Sequence, residues 1–196
     1  MNKNKAKLVF ATNNSHKLEE VRRIVGDNFD ILSLADIGCH DDIPENAPDL
    51  KGNALAKALW VKERYGYDCF ADDTGLEVVA LGGEPGVKTA RYAGDNHDTQ
   101  ANMKLLLENM KGCNDRRACF RTVVALILDG REHFFEGRVD GTIAFAPEGE
   151  KGFGYDPVFI PEGFDTSFAC LPPDIKNSVS HRGRAVTALM DYLNNL

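Results

Sequence analysis

The stretch from Ala118 to Phe145 constrains the fold more than any other part of the chain. Two long extended runs, Ala118 to Leu128 and Glu132 to Phe145, meet at Asp129-Gly130, a dipeptide that suits the two left-handed positions of a tight hairpin turn. A hairpin pairs its strands antiparallel, so a sheet containing it is not purely parallel. Elsewhere extended and helical patterns alternate. Lys7 to Thr12 is a short β-branched and aromatic run stopped by Asn13-Asn14-Ser15, and from Ser15, read as an N-cap, Leu18, Val21, Ile24 and Val25 recur at helical spacing until Gly26. Phe29 to Leu34 is a second short strand, and Leu50, Ala54, Leu55, Ala58, Leu59 and Val61 mark a helix running to Tyr65 with Gly66 as its stop. Cys69 to Ala71 and Leu76 to Leu81 read as strands on either side of a break at Asp72-Asp73-Thr74-Gly75. Thr99 to Met110 is helical, Gly149 to Gly154 is a glycine-rich loop, Tyr155 to Ile160 is short and Pro-bounded, and Ser178 to Leu193 closes the chain with a helix. The expected class is α/β, with a long mixed β-sheet flanked by helices in one domain over residues 1–196, or in two closely packed lobes.

Composition narrows the function. At 196 residues a chain buries roughly 70% of its unfolded surface, so its core needs neither metal nor disulfide to fold, and a bound metal would serve chemistry. Thirty acidic against twenty-three basic residues give a net charge of -7, which opposes a sequence-independent coat on nucleic acid. The five cysteines form no C-x-x-C pair and read as thiols in a reducing compartment. After the basic start Met1 to Lys7, the apolar stretch Leu8-Val9-Phe10-Ala11 is too short for a signal peptide, and Val123 to Leu128 is too short to span a bilayer. A cytoplasmic protein without membrane attachment is expected.

Three constellations can carry chemistry, and each has a plainer alternative. Thr12-Asn13-Asn14-Ser15-His16-Lys17 lies where a strand runs into a helix, so backbone N–H groups, the positive end of the helix dipole and the Lys17 charge suit a phosphate; a capped helix start with a solvated lysine is the commoner meaning. Asp72-Asp73, with Glu45 from the acidic loop Cys39 to Asp49, could hold Mg²⁺, which takes one or two carboxylates plus substrate phosphates; a polar turn completed by Gly75 weighs about equally. Phe153, Gly154, Tyr155 and Asp156, with Lys176, His181 and Arg182, combine an aromatic ring with donors and acceptors as a nucleobase pocket does; the alternative is a packed glycine-rich loop beside a helix start.

Taken together the segments resemble the inosine triphosphatase family, the non-canonical purine nucleoside triphosphate pyrophosphatases also described as dITP/XTP pyrophosphatases. The markers, in order, are Thr12-x-Asn14-x-x-Lys17, Glu45, Asn53-Ala54-x-x-Lys57-Ala58, Ala71-Asp72-Asp73-Thr74-Gly75-Leu76, Leu81-Gly82-Gly83-x-Pro85-Gly86, Ala90-Arg91-Tyr92, Gly152 to Pro157 and Ser180-His181-Arg182-Gly183. Each is weak alone, and their joint order over nearly the whole chain is specific. The resemblance implies two lobes around a central active-site cleft, a homodimer, and Mg²⁺-assisted hydrolysis of ITP, dITP or XTP at the α-phosphate to monophosphate and pyrophosphate. It assigns phosphate binding to Thr12, Asn13, Asn14, Ser15, His16, Lys17 and Lys57, metal binding to Glu45 and Asp73, catalysis to Asp73, substrate contact to Thr74, and base binding to Phe153, Gly154, Tyr155, Asp156, Lys176, His181 and Arg182. Two positions depart from the family pattern: Asn13 stands where a glycine is frequent, and Lys51-Gly52 precedes Asn53 where many members have a glutamate. Related pyrophosphatases acting on pyrimidine or modified nucleotides, and a nucleotide sensor without turnover, are the competing readings.

The family description makes Asp73 the proton acceptor, yet a carboxylate on Mg²⁺ is a poor base. The expectation is therefore that Asp73 orients metal and water, with Asp72 as a second acceptor. Hypoxanthine and xanthine present a 6-oxo acceptor and adenine a 6-amino donor, so a donor such as Arg182 separates them. Guanine must then be excluded at its 2-position, through backbone packing near Asp156.

Overall fold

The computed structural model describes residues 6–27 and 29–196; most of the basic start, residues 1–5, lies outside them. Seven strands form one mixed sheet: β1 (Ala6–Phe10), β2 (Phe29–Leu32), β3 (Cys69–Val78), β4 (Pro85–Gly86), β5 (Arg117–Leu128), β6 (Arg131–Ile143) and β7 (Phe159–Pro161), in the order β2-β1-β3-β5-β6-β7 with β4 beside β3. Strand β1 is parallel to β2 and to β3, whereas β4 on β3 and β7 on β6 are antiparallel. The helices are α1 (Ser15–Val25), α2 (Leu50–Tyr65), α3 (Thr99–Asn109), α4 (Pro173–Val179) and α5 (His181–Asn194). A mixed sheet flanked by helices is thus what the chain forms. The hairpin turn falls where the sequence places it, with Asp129 at φ 49° and Gly130 at φ 73°, both in the left-handed region that such a turn demands.

The chain divides into two compact units, one of residues 1–73, 122–137 and 182–196, the other of residues 74–121 and 138–181. In the first, the period-2 alternation of the strands sorts the core onto two faces. Leu8, Phe10, Phe70, Val124 and Leu126 pack with Val21 and Val25 of α1 and with Ala185, Val186 and Leu189 of α5. Their neighbours Val9, Ala11, Cys69, Ala71, Ala125 and Ile127 pack with Ala54, Ala58 and Val61 of α2. The rings of Phe10 and Phe70 stack at 4.6 Å, and full burial of each is worth about 1.5–3 kcal/mol. The second unit closes around Leu76, Met103, Leu106, Met110, Phe120, Tyr155, Phe159 and Phe168.

Three sequence expectations need correction. The first is the pair of strands around Asp72-Asp73-Thr74-Gly75: β3 runs without interruption from Cys69 to Val78, and Val79–Leu81, expected to be extended, forms a 3-10 turn. Two adjacent carboxylates look like a turn only when their partners are unseen, and here both are buried on the strand with cationic or amide partners. Second, the N-cap of α1 is Asn14, whose side chain accepts from the Lys17 N–H, so the helix itself begins at Ser15. Third, the last helix is split: α4 ends at Val179, Ser180 is extended, and α5 starts at His181. Among the described residues no helix is long and apolar enough to cross a membrane.

Candidate active site

Strand β1 ends at Phe10 while its parallel neighbour β3 continues, so Asp72 and Asp73 stand just beyond the carboxyl end of β1. Successive side chains of a strand point to opposite faces, and this alternation separates the two acids. Asp72 shares the face of Phe70 and meets α1 and α5: Lys17 Nζ donates to its Oδ1 at 3.0 Å and Arg182 Nε to its Oδ2 at 3.1 Å. Glu20 accepts from Arg182 Nη1 at 2.6 Å. Asp73 shares the face of Ala71 and meets α2, where Asn53 Nδ2 donates to its Oδ2 at 3.0 Å.

Their electrostatics differ accordingly. Burial would raise the Asp72 carboxyl, but Lys17 and Arg182 overcome it and hold the group far below the usual carboxylate range. Asp72 is therefore a poor proton acceptor, contrary to the expectation that it serves as a second one. Burial, with a smaller push from the Glu45 charge, lifts the Asp73 carboxyl above its ordinary value even though Lys57 and Lys17 oppose the shift. Burial lowers Lys17, with Asp72 opposing and Lys57 and Arg182 adding to the effect. Lys57 is 6% exposed; burial would lower it too, but Glu45, Asp73 and Asp72 raise it on balance, and its Nζ pairs directly with Glu45.

The segment expected to bind phosphate lies at the start of α1, exposed from Asn13 to His16. Thr12 Oγ1 accepts from the Asn14 N–H at 3.2 Å, Asn14 caps the helix, and no acidic residue occupies the first turn, so nothing in that turn cancels the positive end of the dipole. Asn13 Nδ2 donates to the Asp41 carbonyl at 3.3 Å. The non-glycine residues with positive φ among those described are His97 and Asp129, so Asn13 does not use the left-handed tolerance it shares with glycine.

In the second unit, Asp156 organises the glycine-rich loop. Its Oδ2 accepts from the Phe153 N–H at 2.7 Å and from Lys176 Nζ at 2.7 Å. A Cβ at Gly152, where φ is +79°, would lie 2.2 Å from that same oxygen, so only glycine lets the loop close on the carboxylate. Lys176 Nζ sits 5.0 Å from the centre of the half-buried Phe153 ring, a cation–π distance. The Tyr155 hydroxyl donates to the Thr89 carbonyl at 2.9 Å, which makes Tyr155 a packing residue of this loop. His181 is buried and stacked on Phe120 at 4.5 Å. Thr74 is half-buried on β3 immediately after Asp73. The structure thus gathers Lys17, Glu45, Lys57, Asp73 and Arg182 in one unit, and Phe153, Asp156, Lys176 and His181 in the other.

The Ham1 family model matches residues 8–192. The chain belongs to the Ham1 family. It is 56% identical over 188 residues to the dITP/XTP pyrophosphatase of Porphyromonas gingivalis, covering 95% of this chain and 97% of that protein, and 51% identical to the one of Flavobacterium johnsoniae, covering 95% and 97%. Among solved structures it is similar to the Staphylococcus aureus Ham1 protein, with a TM-score of 0.86 at 35% identity over 96% of this chain and 98% of that one. A HAM1 protein from Coxiella burnetii gives a TM-score of 0.89 at 33% identity over 97% and 100%.

Within this Ham1 chain, sequence reading assigned no role to Glu20 or Asn53. Nothing in the local sequence distinguishes Glu20 from its neighbour Glu19, and only the approach of α5 to α1 turns it into the partner of Arg182. Asn53 had a legible signal, since it lies four residues before Lys57 and so shares its helix face. Gly52, one of the departures from the family pattern, packs against the acidic loop: a Cβ there would come within 2.7 Å of the Ala47 Cβ.

Proposed function

We propose that this Ham1 protein hydrolyses ITP, dITP and XTP between the α- and β-phosphates, giving nucleoside monophosphate and pyrophosphate and clearing deaminated purines from the nucleotide pool. The observation that carries the reading is the asymmetric pair on β3, where Asp72 is tied up by Lys17 and Arg182 while Asp73 sits buried between Glu45, Lys57 and Asn53. The first carboxylate fixes cations, and the second is placed for chemistry. The relatives named dITP/XTP pyrophosphatase support the substrate class.

Hydrolysis needs the triphosphate charge neutralised and a water directed at the α-phosphorus. Lys17, Lys57 and the start of α1 supply positive charge and N–H donors. Asp73 holds the attacking water; the water oxygen bonds to the α-phosphorus, the proton it sheds passes to solvent, the bond to the bridging oxygen breaks, and pyrophosphate leaves. Asp72 keeps Lys17 and Arg182 in place and takes no proton.

The donor set suits Mg²⁺. Glu45 and Asp73 are two hard oxygen donors, the Glu45 charge is one cause of the raised Asp73 pKa, and a cation would relieve that repulsion. Mg²⁺ typically relies on one or two carboxylates together with substrate phosphates. When bound, Mg²⁺ would stabilise the charge of the departing pyrophosphate.

Base choice falls to Arg182, which carries donors and no acceptor. It can pair with a 6-oxo group and cannot accept from a 6-amino group. The working form we propose is a cytoplasmic homodimer. The test is pyrophosphate and orthophosphate release, with Mg²⁺, from ITP, dITP, XTP, ATP, GTP, dTTP and UTP. Pyrophosphate from the inosine and xanthosine nucleotides alone is expected, and equal release from ATP or from pyrimidine nucleotides would overturn the reading.

A further inference from the structure

Asn53 occupies the first turn of α2 and is 1% exposed. Its Oδ1 accepts from the Ala47 N–H at 2.8 Å, and its Nδ2 donates to Asp73 Oδ2 at 3.0 Å. The backbone N–H can only donate and an ionised carboxylate can only accept, so the amide has one orientation that satisfies both. Ala47 lies two residues after Glu45, in the loop that carries it. One turn further along α2, Lys57 pairs with Glu45 itself, so the helix grips the loop at two points. The grip depends on close approach, because any Cβ at Gly52 would press on Ala47.

We propose that Asn53 is a positioning residue whose carboxamide ties the Glu45 loop to Asp73 and so sets the two carboxylates at the separation a divalent cation needs. An amide is the side chain for this place, since it donates at one end and accepts at the other without adding charge beside Asp73. Alanine would remove both the acceptor of the Ala47 N–H and the amide donor to Asp73 Oδ2, and the loop would lose its register against β3. Groups that orient metal ligands from behind typically change metal affinity by about 10–100-fold when removed. The proposal rests on the assignment of Glu45 and Asp73 as the metal-holding pair.

The test uses the full chain and Mn²⁺ alone, with free Mn²⁺ read by electron paramagnetic resonance in the absence of nucleotide. Asn53→Ala is expected to weaken Mn²⁺ binding about tenfold and to lower kcat for ITP more than it raises KM, with excess Mn²⁺ restoring much of the lost kcat. A defect of folding alone would not be rescued by the ion. Glu45→Gln and Asp73→Asn separate the two levels of inference. If they weaken Mn²⁺ binding while Asn53→Ala leaves it within about twofold of the parent, the positioning role is wrong. If neither moves it, the metal assignment is wrong and the role of Asn53 falls with it. Should Asn53→Ala fail to fold, Gly52→Ala keeps the amide and displaces Ala47; weaker Mn²⁺ binding supports the proposal and unchanged binding overturns it.

Discussion

Replacing each acid of the β3 pair by asparagine should give two inactive proteins of opposite stability. Asp72 is 1% exposed and lies between Lys17, 15% exposed, and Arg182, 3% exposed. Asp72→Asn keeps the shape and removes the charge, so two largely desolvated cations face a neutral amide. Breaking a buried ion pair from one side costs about 3–5 kcal/mol, and because Arg182 keeps Glu20 the lower half of that range is expected. For a chain of this size each kcal/mol moves the melting temperature by about 2–4 °C, which gives a fall of about 6–16 °C. Asp73→Asn acts the other way. Burial already disfavours the charged form of Asp73, so a neutral isostere removes a cost, and melting without divalent cation should stay level or rise. Activity should nonetheless fall, by about 10²–10⁴-fold if the acid handles the attacking water. The pH dependence follows from the sign of the Asp72 shift. A depressed carboxylate contributes stability above its unfolded pKa of about 3.9 and loses it as pH falls toward the folded value, so the gap between parent and Asp72→Asn should be full at neutral pH and narrow only below about pH 4. The assay is scanning calorimetry in EDTA from acid to neutral pH. Equal melting temperatures for parent and Asp72→Asn at neutral pH, or a loss in Asp73→Asn as large as in Asp72→Asn, would refute this division of labour.

Other outcomes follow from the same geometry. Arg182→Ala should erode the preference for ITP over ATP in kcat/KM at least tenfold; a variant that kept the full preference would remove Arg182 from base reading. Gly152→Ala forces a side chain into the left-handed region and against Asp156 Oδ2, so KM for ITP should rise about tenfold with kcat little changed, and an unchanged KM would show that the loop tolerates the intrusion. Burial pushes the Cys69 thiol up to about 12, and burial with the Glu77 charge pushes Cys119 up to about 11, while Cys170 is exposed. Iodoacetamide at pH 8 should therefore label Cys170 first and leave Cys69 and Cys119 untouched, as peptide mass spectrometry can check.

The sequence made the unit-1 architecture legible because its signals are local. Gly26 and Gly66 stop α1 and α2 at the residues expected, and Asp129-Gly130 turns the hairpin. What stayed hidden depended on partners distant in the chain. Asp72-Asp73 looked like a turn because nothing local reveals that Lys17, 55 residues earlier, and Arg182, 110 residues later, neutralise Asp72. The short helix carrying Lys176 escaped notice because seven residues opened by prolines show little periodicity. Motifs nominate the candidate site residues, but the unlike environments of the two acids come from the pleat of β3, which a motif does not display.

The claim at the centre of the account is that water attacks the α-phosphorus, under the direction of Asp73, with pyrophosphate leaving as one unit. Turnover of ITP in ¹⁸O-labelled water, with products resolved by mass spectrometry, tests it most directly. The account predicts label in inosine monophosphate alone, one pyrophosphate for each ITP consumed and no orthophosphate. Label in pyrophosphate, or stepwise release of orthophosphate, would place the attack elsewhere and contradict it.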